Sequence, residues 1–387
     1  MVIGIVAEWN PFHEGHAGLI QKARAALPGA PVVCAMSGAF VQRGEPAIFD
    51  KWSRARWAVL GGVDLAVELP AICVLQSADR FAAAGVHLLA GLGVTHLAFG
   101  TESLDAEGIH AIAGWTLTDA FHDALHGELE KGIPYSRAVN LAIAREFPSY
   151  ALDLERPNNL LGIQYARMIL QQRLPIEILP IHRDIDRPIS ATQIRRQITG
   201  GASPLHIPHA QQDALAALLR NGAYTDYRRY DDACLLSLRT MEKTQLTGSG
   251  LFTEGLENRW YKEMSAPTYQ AMLDAVKSKR YLYSRLRRIG AALLLAGHMS
   301  PSPFSLPSMP LYARLLVMKA SASSLLRQAK LPVITSFAKA LRTSPPEIRL
   351  SLVLEQQATD IQAWCMKEET ARSARNDFYR SPVLIKG

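Results

Sequence analysis

Val2-Ile3-Gly4-Ile5-Val6-Ala7-Glu8-Trp9-Asn10-Pro11-Phe12-His13-Glu14-Gly15-His16 opens the chain, and the order of residue types in it decides the fold. Residues 2–7 are a short apolar, β-branched run, Asn10-Pro11 breaks it, and a helix is predicted over about 13–26. The unit then recurs. Residues 31–36, 63–69, 96–99 and 176–181 read as buried strands, and 51–60, 78–92 and 160–171 as helices between them. Apolar strands alternating with helices predict a doubly wound, Rossmann-like α/β domain: a parallel sheet covered on both faces. In such a sheet ligands bind beyond the carboxyl ends of the strands, so chemistry is sought in the loops that follow them.

The quoted loop is the first of these. His13 and His16 are three residues apart on one face of a first helical turn, where free N–H groups and the positive dipole end attract phosphate. Gly15 removes a side chain between them. Both imidazoles could then donate to a polyphosphate and stabilise charge developing on a departing pyrophosphate. The same spacing suits a metal pair, but no third or fourth ligand with zinc spacing accompanies it, so no metal site is expected. A structural role for the two rings is the third reading.

A second anion site is predicted after the last strand, in Pro188-Ile189-Ser190-Ala191-Thr192-Gln193-Ile194-Arg195-Arg196. Ser190 with Gln193 forms a capping box, so Ser190 and Thr192 open a helix that can hold an anion, with Arg195 as its charge partner. A capped helix with two exposed arginines is the plain alternative. The chain holds no Gly-Lys dipeptide, which excludes the ordinary P-loop. Asp64 and Glu68 stand in an apolar strand and need partners or strand-end positions.

The chain of 387 residues has 48% apolar and 20% charged residues, which excludes disorder and suggests two or three domains. Four dispersed cysteines without a C-x-x-C pair exclude a disulfide scaffold and a thiol redox motif. No signal peptide and no run of about 18 apolar residues is present, so the expectation is a soluble, cytoplasmic protein with no membrane partner. Nothing in the sequence points to a protein partner.

Charge divides the chain. Residues 1–200 carry 17 Lys and Arg against 20 Asp and Glu, whereas 201–387 carry 25 against 15. The expected organisation is a nucleotide-binding domain over 1–200 and a mainly α-helical, basic domain over 201–387. In the latter, Lys277-Ser278-Lys279-Arg280-Tyr281-Leu282-Tyr283-Ser284-Arg285-Leu286-Arg287-Arg288 has six cations, no acid and two tyrosines. Lys277, Lys279, Arg280, Arg285, Arg287 and Arg288 are the expected RNA contacts, with the rings free to stack on unpaired bases. A solvated basic face is the alternative.

The pairing of N-P-F-H-x-G-H after the first strand with I-S-A-T-x-I-R after a later one resembles the HIGH-type nucleotidyltransferases. Phe40-Val41-Gln42-Arg43-Gly44-Glu45-Pro46-Ala47, Gly62-Val63-Asp64-Leu65, Pro157-Asn158-Asn159 and Glu254-Gly255-Leu256-Glu257-Asn258-Arg259 narrow the resemblance to the tRNA(Met) cytidine acetate ligase family. That resemblance implies a ligase that forms acetyladenylate from acetate and ATP, with Mg2+, and releases pyrophosphate. Acetyl then passes to the wobble cytidine of elongator methionine tRNA, giving N4-acetylcytidine and AMP. It also implies ATP contacts at Val6, Ala7, Glu8, Asn10, Pro11, Phe12, His13, Gly15 and His16, with Gly100, Asn159 and Arg183 added. Trp9 and Glu14 depart from the family's pattern, and the loop over residues 184–188 is shorter than the family's. Two rival functions remain: an adenylyltransferase acting on a small metabolite, and a non-catalytic nucleotide- and RNA-binding protein.

Overall fold

The computed structural model describes residues 1–133, 135–183, 189–278, 281–305 and 308–386. Its centre is an eight-stranded sheet. The first five strands are β1 (Ile3–Ala7), β2 (Val32–Ser37), β3 (Leu65–Leu69), β4 (His96–Thr101) and β5 (Glu177–His182). They lie in the order β3-β2-β1-β4-β5, all parallel. β2 and β3 are buried along their whole length, as expected of strands covered on both faces. The chain winds one way through β1, β2 and β3 and the other way through β4 and β5, so the switch point lies between β1 and β4.

The expected helices cover this sheet, among them Glu14–Ala26, Lys51–Leu60, Ala78–Gly91 and Pro157–Gln171. Asp50 caps the second of these by accepting from the Ser53 N–H at 2.9 Å. Among the described residues, no helix is long and apolar enough to cross a membrane.

The expected division at residue 200 needs correction. Three more strands, β6 (Ala313–Lys319), β7 (Val333–Ile334) and β8 (Val383–Ile385), complete the same sheet. β6 runs antiparallel to β3, and β7 and β8 pair parallel with β6. The second half is mainly helical, with the helices Phe337–Thr343 and Pro346–Trp364 in its last part, but three of its strands belong to the first half's sheet.

Buried charge joins the two. Lys51 Nζ lies 2.6 Å from Glu68 and 2.7 Å from Asp377, and Arg314 lies 2.9 Å from Glu68 and 2.6 Å from Asp377. Glu355 completes the group; burial, then the neighbouring Glu68, push its carboxyl well above the usual range. Asp64 meets Arg24, Lys319 at 2.9 Å and the Val32 N–H at 2.8 Å. Both strand carboxylates thus have the partners their burial requires.

The helices Tyr227–Arg239, Leu256–Glu263, Tyr269–Val276 and Tyr283–Ala296 enclose a second apolar core around Tyr230, Trp260, Tyr269 and Leu286. That core also takes in Phe40 and Leu75 from the first half and Leu354 from the helix Pro346–Trp364. The first-half ribbon that pairs Phe40–Val41 with Glu45–Pro46 is pinned to it, since the Tyr230 hydroxyl donates to the Gly44 carbonyl at 2.9 Å.

Candidate nucleotide site

Beyond the carboxyl ends of β1 and β4 lies a cavity of about 1520 Å3. Its wall includes Val6, Ala7, Glu8, Asn10, His13, Gly15 and His16 from the first crossover, Gly100 from β4 and Arg183 after β5. Ser190, Thr192 and Arg195 face the same space from the helix Ala191–Thr199. The two helix openings singled out in the sequence therefore meet at one cavity. They also touch: Arg195 Nη1 donates to the Asn10 carbonyl at 2.7 Å, and its Nη2 reaches Thr192 Oγ1 at 3.3 Å.

Local chemistry sets this geometry. Trp9 turns the chain with φ of 44°, and the Asn10 side chain fixes the turn by accepting the Ile48 N–H at 2.7 Å. His13 is the N-cap of the first helix, and its backbone N–H donates to His16 Nδ1 at 3.3 Å. An accepting Nδ1 leaves the proton of His16 on Nε2. The two rings stack at 3.6 Å between centroids. A Cβ at residue 15 would sit 3.1 Å from His13 Cε1 and 3.2 Å from Nδ1, so glycine leaves the rings their space.

The electrostatics alter one expectation. Burial, then Arg183 and His206, draw His13 down to about 4, and burial, then His13 and Arg183, hold His16 well below its usual value. Both rings are neutral near pH 7 and act as N–H donors. His13 Nδ1 is buried without a hydrogen-bond partner among the described residues, a polar atom still to be satisfied. Positive charge comes from Arg183 and Arg195 in the wall, with Lys22, Arg43, Arg80 and Arg167 also lining it, and from Arg54 behind it.

Sequence reasoning missed Arg54. Its buried guanidinium donates to the carbonyls of Glu8 at 2.6 Å, Ser37 at 3.1 Å, Phe49 at 3.0 Å and Gly38, tying the loops after β1 and β2 together. Burial lowers it only to about 10, so it stays cationic. His206 was missed as well. It lies 3.2 Å from Glu14, while the Glu14 N–H donates to the His206 carbonyl at 2.9 Å. This pairing takes up the carboxylate that departs from the family's pattern.

Three of the expected nucleotide contacts, Pro11, Phe12 and Asn159, have buried side chains that do not line the cavity. Pro11 and Phe12 are buried, with Phe12 packed edge-on against Trp9 at 5.4 Å. Asn159 is wholly buried: its Oδ1 accepts the Glu102 N–H at 3.0 Å, and its Nδ2 donates to Ser103 Oγ and the Asp153 carbonyl at 3.1 Å each. It shapes the loop after β4, and its neighbour Asn158 lines the cavity.

The expected RNA segment also differs. Lys279, Arg280 and the 184–188 loop lie outside the described residues. Tyr281 is buried, with Arg285 over its ring at 5.1 Å, and Lys277 lies over Tyr283 at 4.3 Å, so neither ring is the open stacking platform expected. Arg285 donates to Thr253 Oγ1 at 2.8 Å and Arg287 to Gln270 at 2.9 Å, with Glu45 3.8 Å away. Arg288 is drawn in toward the Gln42 carbonyl at 3.5 Å, and burial lowers it to about 10.

A mostly parallel sheet whose switch-point cavity faces two helix openings defines a nucleotide-binding α/β protein of the nucleotidyltransferase class. Comparison with known proteins agrees. The family model described as HIGH Nucleotidyl Transferase matches residues 1–377. A tRNA(Met) cytidine acetate ligase of Anoxybacillus flavithermus is 32% identical over 407 residues, 99% of each chain, and that of Listeria monocytogenes is 33% identical over 408 residues, 98% of each. A crystal structure of Thermotoga maritima TmcAL bound with alpha-thio ATP superposes with a TM-score of 0.89 at 29% identity, covering 100% of both chains. The chain belongs to the HIGH nucleotidyl transferase family and, within it, to the tRNA(Met) cytidine acetate ligases.

Proposed function

We propose that this protein activates acetate with ATP and transfers the acetyl group to the wobble cytidine of elongator methionine tRNA. A carboxylate oxygen of acetate attacks the α-phosphorus, the bond to the β-phosphate breaks, and pyrophosphate leaves. The resulting acetyladenylate gives its acetyl group to the cytidine N4, releasing AMP. The observation that carries this reading is the convergence of His16, Arg183, Thr192 and Arg195 on the one cavity at the switch point.

Activation needs no covalent enzyme intermediate. Acetate becomes an electrophile once a phosphate leaving group replaces its oxygen, so the site must position the reactants and offset charge. The neutral His13 and His16 donate N–H bonds to the phosphates, while Arg183 and Arg195 supply positive charge in the wall. Mg2+ bound with ATP would offset phosphate charge; of the wall carboxylates, Glu8 accepts the Gln42 N–H and Glu14 pairs with His206, and Asp79 lines the same cavity. The test is mass spectrometry of tRNA nucleosides after incubation with ATP and labelled acetate. N4-acetylcytidine carrying the label is expected; pyrophosphate release that is independent of acetate and tRNA would overturn the reading.

A further inference from the structure

A second cavity of about 630 Å3 adjoins the first, and Arg43, Thr192 and Arg195 line both. Four elements build it. The Phe40–Val41/Glu45–Pro46 ribbon brings Arg43 and Glu45, the helix Ala191–Thr199 brings Thr192, Arg195 and Arg196, and the helix Tyr283–Ala296 brings Arg287. From the helix Tyr227–Arg239 come Tyr227 and Asp231, one turn apart on a single face.

Asp231 is the anomaly in this wall. Its Oδ1 is buried with no hydrogen-bond partner among the described residues. Arg287, the nearby cation, is occupied by Gln270 at 2.9 Å and Glu45 at 3.8 Å. Burial raises the Asp231 carboxyl to about 6, with Arg287 pulling it down and Glu45 and Asp232 pushing it up, so the group is mostly ionised at pH 7. A buried carboxylate oxygen left unpaired is costly unless a ligand supplies the donor.

The surroundings define that donor. An acceptor carboxylate flanked by guanidinium donors matches the edge of an aminopyrimidine, which presents an exocyclic N–H donor beside ring nitrogen and carbonyl acceptors. A uracil would turn a carbonyl oxygen toward the same carboxylate and be repelled. We infer that the second cavity receives the acceptor cytosine of the RNA, and that Asp231 accepts the N4–H of its exocyclic amine. This inference rests on the acetyl-transfer reading above and gives that reaction its acceptor subsite.

In the transfer step the N4 lone pair forms a bond to the acetyl carbonyl carbon. The bond from that carbon to the phosphate oxygen breaks, AMP leaves with the electron pair, and the N4 proton passes to the Asp231 carboxylate and then to solvent. The shared residues Arg43, Thr192 and Arg195 place the phosphate end of one cavity against the mouth of the other.

The test compares the full-length wild type with Asp231→Asn and Asp231→Glu in three measurements. These are acetate-dependent exchange of pyrophosphate into ATP, tRNA binding, and single-turnover acetyl transfer. Asp231→Asn is expected to keep exchange within about threefold while transfer falls by about 10²–10⁴, with partial rescue in Asp231→Glu. The wild type is also expected to bind tRNA carrying wobble cytidine more tightly than the uridine form, a difference the Asn variant narrows. Unchanged transfer in Asp231→Asn overturns the inference, and so does a parallel loss of exchange, which marks Asp231 as structural. A wild type that acetylates no cytidine overturns the functional reading and this inference with it.

Discussion

The opening of the first helix and the segment 277–288 both carry conspicuous polar patterns, yet they behave in opposite ways. His13 and His16 stand where their position after β1 puts them, on the wall of the switch-point cavity. The described cations of 277–288 are spent on their own neighbourhood: Lys277 and Arg285 on tyrosine rings, Arg287 on Gln270 and Glu45, and Arg288 beneath the ribbon. The lesson is that a motif tied to a strand end fixes a direction in space. A run of like charge fixes only composition, and its side chains turn to whatever acceptors the fold supplies.

The sharpest way to break this contrast is His16→Ala. Loss of a donor aimed at the phosphates should lower acetate-dependent pyrophosphate exchange by about 10²–10³, with tRNA binding unchanged. Retained exchange together with lost tRNA binding would reverse the roles of the two regions.

A smaller effect concerns the burial of the pair. Below pH 6.5 the unfolded chain takes up a proton that native His13 refuses until about pH 4, so stability falls as pH drops through that window. The loss attributable to His13 is roughly 3 kcal/mol across the full range. His13→Asn places a side chain favoured at the N-cap and removes the titration. Its urea midpoint should therefore vary less between pH 6.5 and 4 than that of the wild type, and an equal pH slope would show that the ring is free to protonate in place.

The least effect is expected on the other side of the comparison. Lys277→Ala should change tRNA affinity by less than about twofold and the salt slope by less than one, because that ammonium already lies over Tyr283. A tenfold loss in a salt titration would restore the segment as a principal RNA contact.

Much of the fold was legible because the parallel strands are buried on both sides and read as unbroken apolar runs. β6 was not. Its sequence, Ala-Arg-Leu-Leu-Val-Met-Lys, is rich in helix formers, and its strand state comes from pairing with β3 and from Arg314 meeting Glu68 and Asp377, partners far away in the chain. The site divides in the same manner. The two helix openings could be read locally through a cap and a histidine spacing. Arg54, His206 and Asp231 could not, since each owes its role to carbonyls, a carboxylate or a cavity assembled from distant segments. The part Asn159 plays in shaping the loop after β4 could not be read either, because an asparagine at a helix start reads alike whether it faces a ligand or stitches a loop.

The strand that covers the open edge of β3 comes from residues 313–319. During synthesis on the ribosome the nascent nucleotide-binding portion therefore waits, its apolar border bare, until the chain has been made past that point. A message that stopped earlier would yield no smaller enzyme, only a fragment whose unpaired border invites other chains to attach.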